Sequence, residues 1–131
     1  MKDFYKYLNR RIDLNSSYEG LLNYPKYVEI ETVNACNARC PMCTINDWER
    51  NYPVMKDDVF DKISDDIISN KEKIKRVSLY RDGEPLIDKK MPKRINKFFQ
   101  NGITNTSIAT NVSLLNEKKS TDLLEAGLGM V

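Results

Sequence analysis

Cys36, Cys40 and Cys43 lie in the run Cys36-Asn37-Ala38-Arg39-Cys40-Pro41-Met42-Cys43, and they are the only cysteines of a 131-residue chain that contains no histidine. Thiolates are soft metal ligands, and three of them carried by one loop can converge on a single metal centre. Three thiols alone leave one position of a four-coordinate site, or one iron of a cubane cluster, without a cysteine. That open position is where chemistry is expected. The triplet admits three readings: a cluster ligand set, a zinc site completed by Asp47 or an outside group, and three buried thiols with no ligand. Structural zinc sites usually offer four Cys or His ligands in paired arrangements. The spacing here suits a cluster better, with thiolates on three different irons and the fourth iron exposed.

The remaining composition narrows the chemistry. Without histidine the chain holds no Ser-His-Asp or Cys-His triad, no His-x-x-x-His zinc helix and no Cys2His2 finger. Its 21 Lys+Arg against 19 Asp+Glu give a net charge of +2. The charges are spread without a basic block, so no nucleic acid or anionic membrane partner is expected. The N-terminal residues show no apolar signal region, and no stretch approaches the roughly 20 apolar residues of a membrane span. An odd number of closely spaced cysteines argues against a secreted disulfide framework and for a reducing compartment. A soluble cytoplasmic protein is expected.

The elements that must position the cysteines follow from the hydrophobic pattern. Phe4, Leu8 and Ile12 recur at helical spacing and predict a short amphipathic helix in an N-terminal extension, residues 1–25. Tyr27 to Thr32 is β-branched and alternating and predicts a strand leading straight into the cysteine loop. Val59, Ile63 and Ile67, widened by Phe60 and Ile68, predict a core-facing helix over 57–68. Arg76 to Tyr80 reads as a second strand, broken by Asp82-Gly83-Glu84-Pro85. Ile87, Met91, Ile95, Phe98 and Phe99 form the next helical face, stopped by Asn101-Gly102. Thr106 to Thr110 reads as a third strand ending at Asn111, and Asn116 caps a helix that runs to Ala126 with Gly127 at C′. Trp48 and Tyr52, just after the cysteine loop, read as packing residues in preference to a cover over the site.

Alternation of strand and helix predicts an α/β fold, with a parallel sheet built as a barrel or as an open doubly wound sheet. In either, the loops at the strand C-termini carry the site. Those loops hold the cysteines, the Gly83-Glu84-Pro85 turn and Thr110-Asn111. Glu84 offers a carboxylate that can receive an ammonium by charge-assisted hydrogen bonds, or it is a solvated turn residue beside Pro85. Asn111 can bind a carboxylate or ribose, or merely complete a turn.

The Cys-x-x-x-Cys-x-x-Cys motif after a first strand resembles that of the radical S-adenosylmethionine (SAM) superfamily, and the resemblance runs from about Tyr27 to Val131 through the Gly-Glu-Pro turn and the Thr-Asn strand end. It implies a partial parallel (β/α) barrel of about three to four βα units, with residues 26–131 as a truncated core. It also implies Cys36, Cys40 and Cys43 as ligands of a 4Fe-4S cluster, whose unique iron is chelated by SAM. Gly83 and Glu84 then receive the methionine amino group. Met42 stands where the family commonly has an aromatic near the adenine and offers a softer apolar contact. Other departures are Thr110-Asn111-Val112 in place of Thr-Asn-Gly and Asp82-Gly83-Glu84 in place of Gly-Gly-Glu.

The activity implied by the resemblance is reductive cleavage of SAM to a 5′-deoxyadenosyl radical that abstracts substrate hydrogen, with a flavodoxin- or ferredoxin-like protein as electron donor. The resemblance extends to relatives that carry an additional C-terminal cluster domain, the SPASM-containing subgroup. The chain stops at Val131, where a relative would be entering its fourth strand. With about half of the barrel absent, an exposed sheet edge and an uncovered apolar face predict self-association or a companion polypeptide. Two other functions remain open at this point: a catalytically incomplete iron–sulfur-binding fragment or split-protein module, and a zinc-stabilised interaction domain. Peptide, sugar and small-metabolite substrates are all compatible with the sequence.

Overall fold

A computed structural model describes residues 24–47 and 53–131. The N-terminal helix expected around Phe4, Leu8 and Ile12, together with Trp48 and Tyr52, lies outside these residues. Three short strands, β1 (Tyr27–Glu29), β2 (Arg76–Ser78) and β3 (Thr106–Ser107), form one parallel sheet in the order β1-β2-β3. Sequential neighbours pairing in parallel, each joined by a helical crossover, is the arrangement of a barrel wall. Helix α1 (Asp57–Ser69) connects the first pair and α2 (Met91–Gln100) the second, and α3 (Glu117–Glu125) follows β3. Met130 then pairs in parallel with Ser107, its N–H bonding the Thr106 carbonyl at 3.1 Å, so the chain is entering a fourth strand as expected.

The strands are shorter than their apolar runs, because the residues that follow each ladder turn away to build loops. The register aligns Val28, Val77 and Thr106 in one row and Glu29, Ser78 and Ser107 in the next. Period-two alternation sends these rows to opposite faces. Val77 joins Leu79, Ile95, Phe98, Phe60 and Ile67 in the core between sheet and helices. The other row is polar, and the buried Ser78 and Ser107 hydroxyls lie 3.0 Å apart. The uncovered apolar face expected from an open sheet is therefore not found at this row.

Helix α1 presents a rotated face. Phe60, Ser64 and Ile67 are buried, whereas Val59 is 44% exposed and Ile63 and Ile68 only flank the core. A buried serine is tolerated because its hydroxyl donates to the Asp61 carbonyl at 3.0 Å, and Phe60 packs edge-on against Phe98 at 5.9 Å. Helix α2 begins at Met91, so Ile87 belongs to a separate one-turn 3-10 helix, Pro85–Ile87, and Phe99 is partly exposed.

Both glycine stops form as read. Gly102, at φ 87°, donates to Phe99, while Ile103 donates back to Phe98. Gly127, at φ 86°, and Leu128 repeat the pattern on Leu124 and Leu123. Each is a Schellman motif that satisfies the last carbonyls of its helix. Asn116 caps α3 by accepting from the Lys119 N–H at 2.9 Å.

A buried ion pair anchors the first turn of α2. Arg94 Nε donates to Asp88 Oδ2 at 2.6 Å, with both side chains nearly inaccessible, and Arg94 Nη2 donates to the Met55 carbonyl at 2.7 Å. The guanidinium also stacks over Phe60, 4.4 Å from the ring centre. Nearby, the Lys90 hydrogen bond holds the Asp57 carboxyl below the usual carboxylate range. We predict that Arg94→Ala lowers the unfolding free energy by about 3–5 kcal/mol, because it strands the buried Asp88 charge. Urea unfolding monitored by circular dichroism measures the loss.

Candidate functional site

The cysteine loop leaves the sheet just after β1 and is closed at its base by an isolated antiparallel bridge between Val33 and Val54. Asn34 N–H reaches the Pro53 carbonyl at 2.7 Å and Met55 N–H the Thr32 carbonyl at 2.8 Å. Ile45, buried within the 3-10 turn Thr44–Asp47, pins the loop from inside. Cys43 N–H bonds the Cys40 carbonyl at 3.0 Å, making a tight turn with Pro41 and Met42 at its tip. The three thiols are unbridged, with Cys40 exposed and Cys36 and Cys43 half-buried. Met42 is 85% exposed.

The second loop is pressed against the first. Glu84 N–H donates to the Ala35 carbonyl at 2.8 Å, one residue before Cys36. The approach is close enough that a side chain at Gly83 would run into the Val33 carbonyl. Glycine is required there for space. The Glu84 side chain turns inward and is 2% exposed. Its Oε1 accepts from Leu86 N–H at 2.9 Å and from the Thr110 hydroxyl at 2.7 Å, and its Oε2 accepts from Asn111 N–H at 2.8 Å. Three of the roughly four acceptor sites of a carboxylate are thereby used. Glu84 is thus a clamp between the second and third loops, a role that the sequence reading did not assign to it.

The third loop returns to the first. Asn111 Nδ2 donates to Asn37 Oδ1 at 3.0 Å and to Cys36 Sγ at 3.7 Å. Asn37 Nδ2 donates to Ser113 Oγ at 2.7 Å, and Ser113 donates to Asn111 Oδ1 from both its N–H and its hydroxyl. Cys36, Gly83, Glu84 and Asn111 therefore meet at the strand C-termini, while Met42 and Cys40 stand out on the loop tip. Asn37 and Ser113 escaped the sequence reading, although their positions beside Cys36 and two residues beyond Asn111 mark them as short-range hydrogen-bonding residues.

Val112 adopts φ 56° and is 58% exposed. The left-handed conformation is what lets Ser113 N–H turn back to Asn111, and a β-branched residue is strained there. This gives a physical reason for the glycine that the resemblance places at the same point.

Among the described residues no three Cys, Asp or Glu side chains gather as they would around a single ion, Asp47 included. The donor set nevertheless fits a cubane cluster, whose ligands sit on separate irons and need not converge on one point. Cys36 Sγ accepts the Ala38 N–H at 3.4 Å in addition to the Asn111 amide. N–H donors to sulfur are the environment in which a ligating thiolate keeps its charge.

A parallel three-stranded sheet whose strand ends carry a three-cysteine loop, a glycine–glutamate turn and a threonine–asparagine end is the architecture of a partial α/β barrel. The chain belongs to the Radical SAM superfamily, whose model matches residues 30–131. A curated relative is the tungsten-containing aldehyde ferredoxin oxidoreductase cofactor-modifying protein of Pyrococcus furiosus, 31% identical over 106 residues, which are 81% of this chain and 29% of that protein. Among solved structures, BtrN in complex with AdoMet and 2-DOIA superposes with a TM-score of 0.68 at 24% identity, covering 79% of this chain and 42% of BtrN. BtrN in an open conformation superposes with a TM-score of 0.66, at 24% identity, over 79% of this chain and 46% of the other. These structural likenesses establish the fold. The chain spans less than half the length of each of these proteins.

Two substitutions test the loop architecture. Glu84→Gln puts an amide nitrogen among three donors and should cost about 1–3 kcal/mol of stability, read as a lower urea midpoint. A Glu84 that served only to contact a ligand would leave the midpoint unchanged. Val112→Gly should raise stability by about 1 kcal/mol through relief of the left-handed strain, visible as a higher thermal midpoint.

Proposed function

We propose that this chain forms the cluster- and SAM-binding part of a radical SAM enzyme. Cys36, Cys40 and Cys43 would hold a 4Fe-4S cluster, and the Gly83-Glu84 stretch would meet the methionine amino group of SAM, with Met42 toward the adenine. Bound there, cluster and SAM would together supply reductive cleavage of the sulfonium bond, one electron from an outside donor yielding methionine and a 5′-deoxyadenosyl radical able to take hydrogen from a substrate. The observation that carries the reading is the convergence of three loops on Cys36: Glu84 bonds the residue before it, and Asn111 bonds its sulfur.

The residues of this chain have distinct tasks in that reading. The Val33–Val54 bridge holds the ends of the cysteine loop together, so the thiols are presented as one unit. The Glu84 carboxylate is largely consumed in holding Thr110 and Asn111, which leaves main-chain groups of the Gly83-Glu84 turn and the one remaining carboxylate lone pair to orient an ammonium. Asn111 has its amide committed to Asn37, Ser113 and Cys36, so its contribution to SAM would come after that network is satisfied. A flavodoxin- or ferredoxin-like protein would deliver the electron to the exposed Cys40 side of the loop.

A second reading is favoured by the span of the match. A chain covering 42% of BtrN and 29% of a curated relative would in this reading hold a cluster without completing the SAM and substrate pockets, or complete them with a companion polypeptide. Anaerobic reconstitution with iron and sulfide, followed by electron paramagnetic resonance of the reduced protein with and without SAM, separates the two. A cluster signal that SAM perturbs, with 5′-deoxyadenosine formed under reducing conditions, is the expected result. A signal indifferent to SAM leaves an iron–sulfur module alone, and colourless protein holding one zinc and no labile sulfide overturns both.

A further inference from the structure

Asn111 sits 75 residues from Cys36 in sequence, yet its amide is aimed at the Cys36 sulfur by a closed set of hydrogen bonds. The orientation of an Asn side chain is decided by its neighbours, and here they leave one solution. Ser113 N–H can only donate, so the atom 3.0 Å from it must be the Asn111 oxygen. That oxygen also takes the Ser113 hydroxyl proton at 2.6 Å. Ser113 Oγ, having given its proton away, accepts Asn37 Nδ2 at 2.7 Å. Asn37 Oδ1 then accepts one of the two Asn111 amide protons at 3.0 Å, and the second is left for Cys36 Sγ. Every donor in the ring meets an acceptor, and rings of this kind strengthen their members cooperatively.

The backbone beneath this ring is fixed as firmly as the ring itself. Asn111 N–H is held by Glu84 Oε2, the Thr110 hydroxyl by Glu84 Oε1, and Val112 N–H by Thr110 Oγ1 at 3.1 Å. The Val112 conformation at φ 56° brings Ser113 back over Asn111. A strained backbone held in place by surrounding bonds is a mark of a functional constraint.

We infer that Asn111 is a positioning residue for Cys36, an amide locked by Ser113 and Asn37 so that it donates to the sulfur and raises the reduction potential of the cluster that the three cysteines hold. The inference rests on the cluster-binding reading above and adds to it which thiolate is tuned and by what. Reduction adds negative charge to a cluster, and an N–H dipole pointed at a ligating sulfur stabilises the reduced form more than the oxidised one. Cys36 already takes a main-chain donor from Ala38, which only a proline there would remove. Asn111 supplies the donor that a side-chain change can delete.

The test is a redox titration of the reconstituted cluster without SAM, in the wild type and in Asn111→Ala, Asn111→Asp and Ser113→Ala. The midpoint potential should fall in Asn111→Ala, fall further in Asn111→Asp, where a negative charge replaces the donor, and fall least in Ser113→Ala, where the amide is present but no longer locked by the hydroxyl. Iron and sulfide content should match the wild type. Potentials of the two position-111 variants equal to the wild type overturn the inference while leaving cluster binding intact. If both lose the cluster, Ser113→Ala decides: a lowered potential supports the inference and an unchanged one overturns it. A wild type that assembles no cluster overturns the underlying reading and the inference together.

Discussion

The site depends on one buried carboxylate. A charged group taken out of water is tolerated only if its lone pairs are met by donors. Glu84 meets that condition by drawing Leu86 N–H, the Thr110 hydroxyl and Asn111 N–H to a single point. Its own N–H ties it to Ala35. Three loops that follow three different strands are thus held by one residue. Four residues on, Asp88 is a second buried carboxylate met by donors: it receives Arg94 and the Lys90 N–H, while Arg94 reaches on to Met55. One segment with two inward carboxylates therefore ties the third strand end through Glu84 and, through Arg94, the chain just past the cysteine loop.

Much of the fold could be read because its signals are local. Gly102 and Gly127 end helices as read, since φ near 87° excludes a side chain cheaply and the Schellman pattern needs only neighbouring residues. Asn116 caps for the same reason. The buried face of α1 is rotated from the expected one, away from Val59, because hydrophobicity alone places Val59, Ile63 and Ile67 in a line. The buried line includes Ser64, whose hydroxyl satisfies itself on Asp61 and whose small size admits a neighbour. No periodicity count rewards a buried serine. Strand ends were overrun because an alternating pattern continues into loop residues such as Thr32 and Ile108, which are buried without lying in a strand.

The site divides along the same line. Cysteine spacing is a short-range feature and stands out in any reading of the chain. Among the partners of the Asn111 side chain, Asn37 is 74 residues away and Cys36 75. The Gly83-Glu84-Pro85 sequence admits a ligand contact or a solvated turn at Glu84, and the solvated turn is not what forms: among the described residues its side chain is one of the most buried. A turn sequence says that the backbone bends and says nothing of which way a long side chain points. Residues joined only through the tertiary fold leave no mark in spacing.

The bridge between Val33 and Val54 has a consequence for how this chain can vary. By closing the loop at its neck, it makes everything between Asn34 and Pro53 a tethered insert whose two ends meet regardless of what lies between. Lengthening such an insert costs little, about 0.6 kcal/mol for each doubling. The strand before it and the helix after it need not register the change. The cysteine loop is thus a cassette on a fixed frame, which takes hold of it near its start, at Ala35, Cys36 and Asn37.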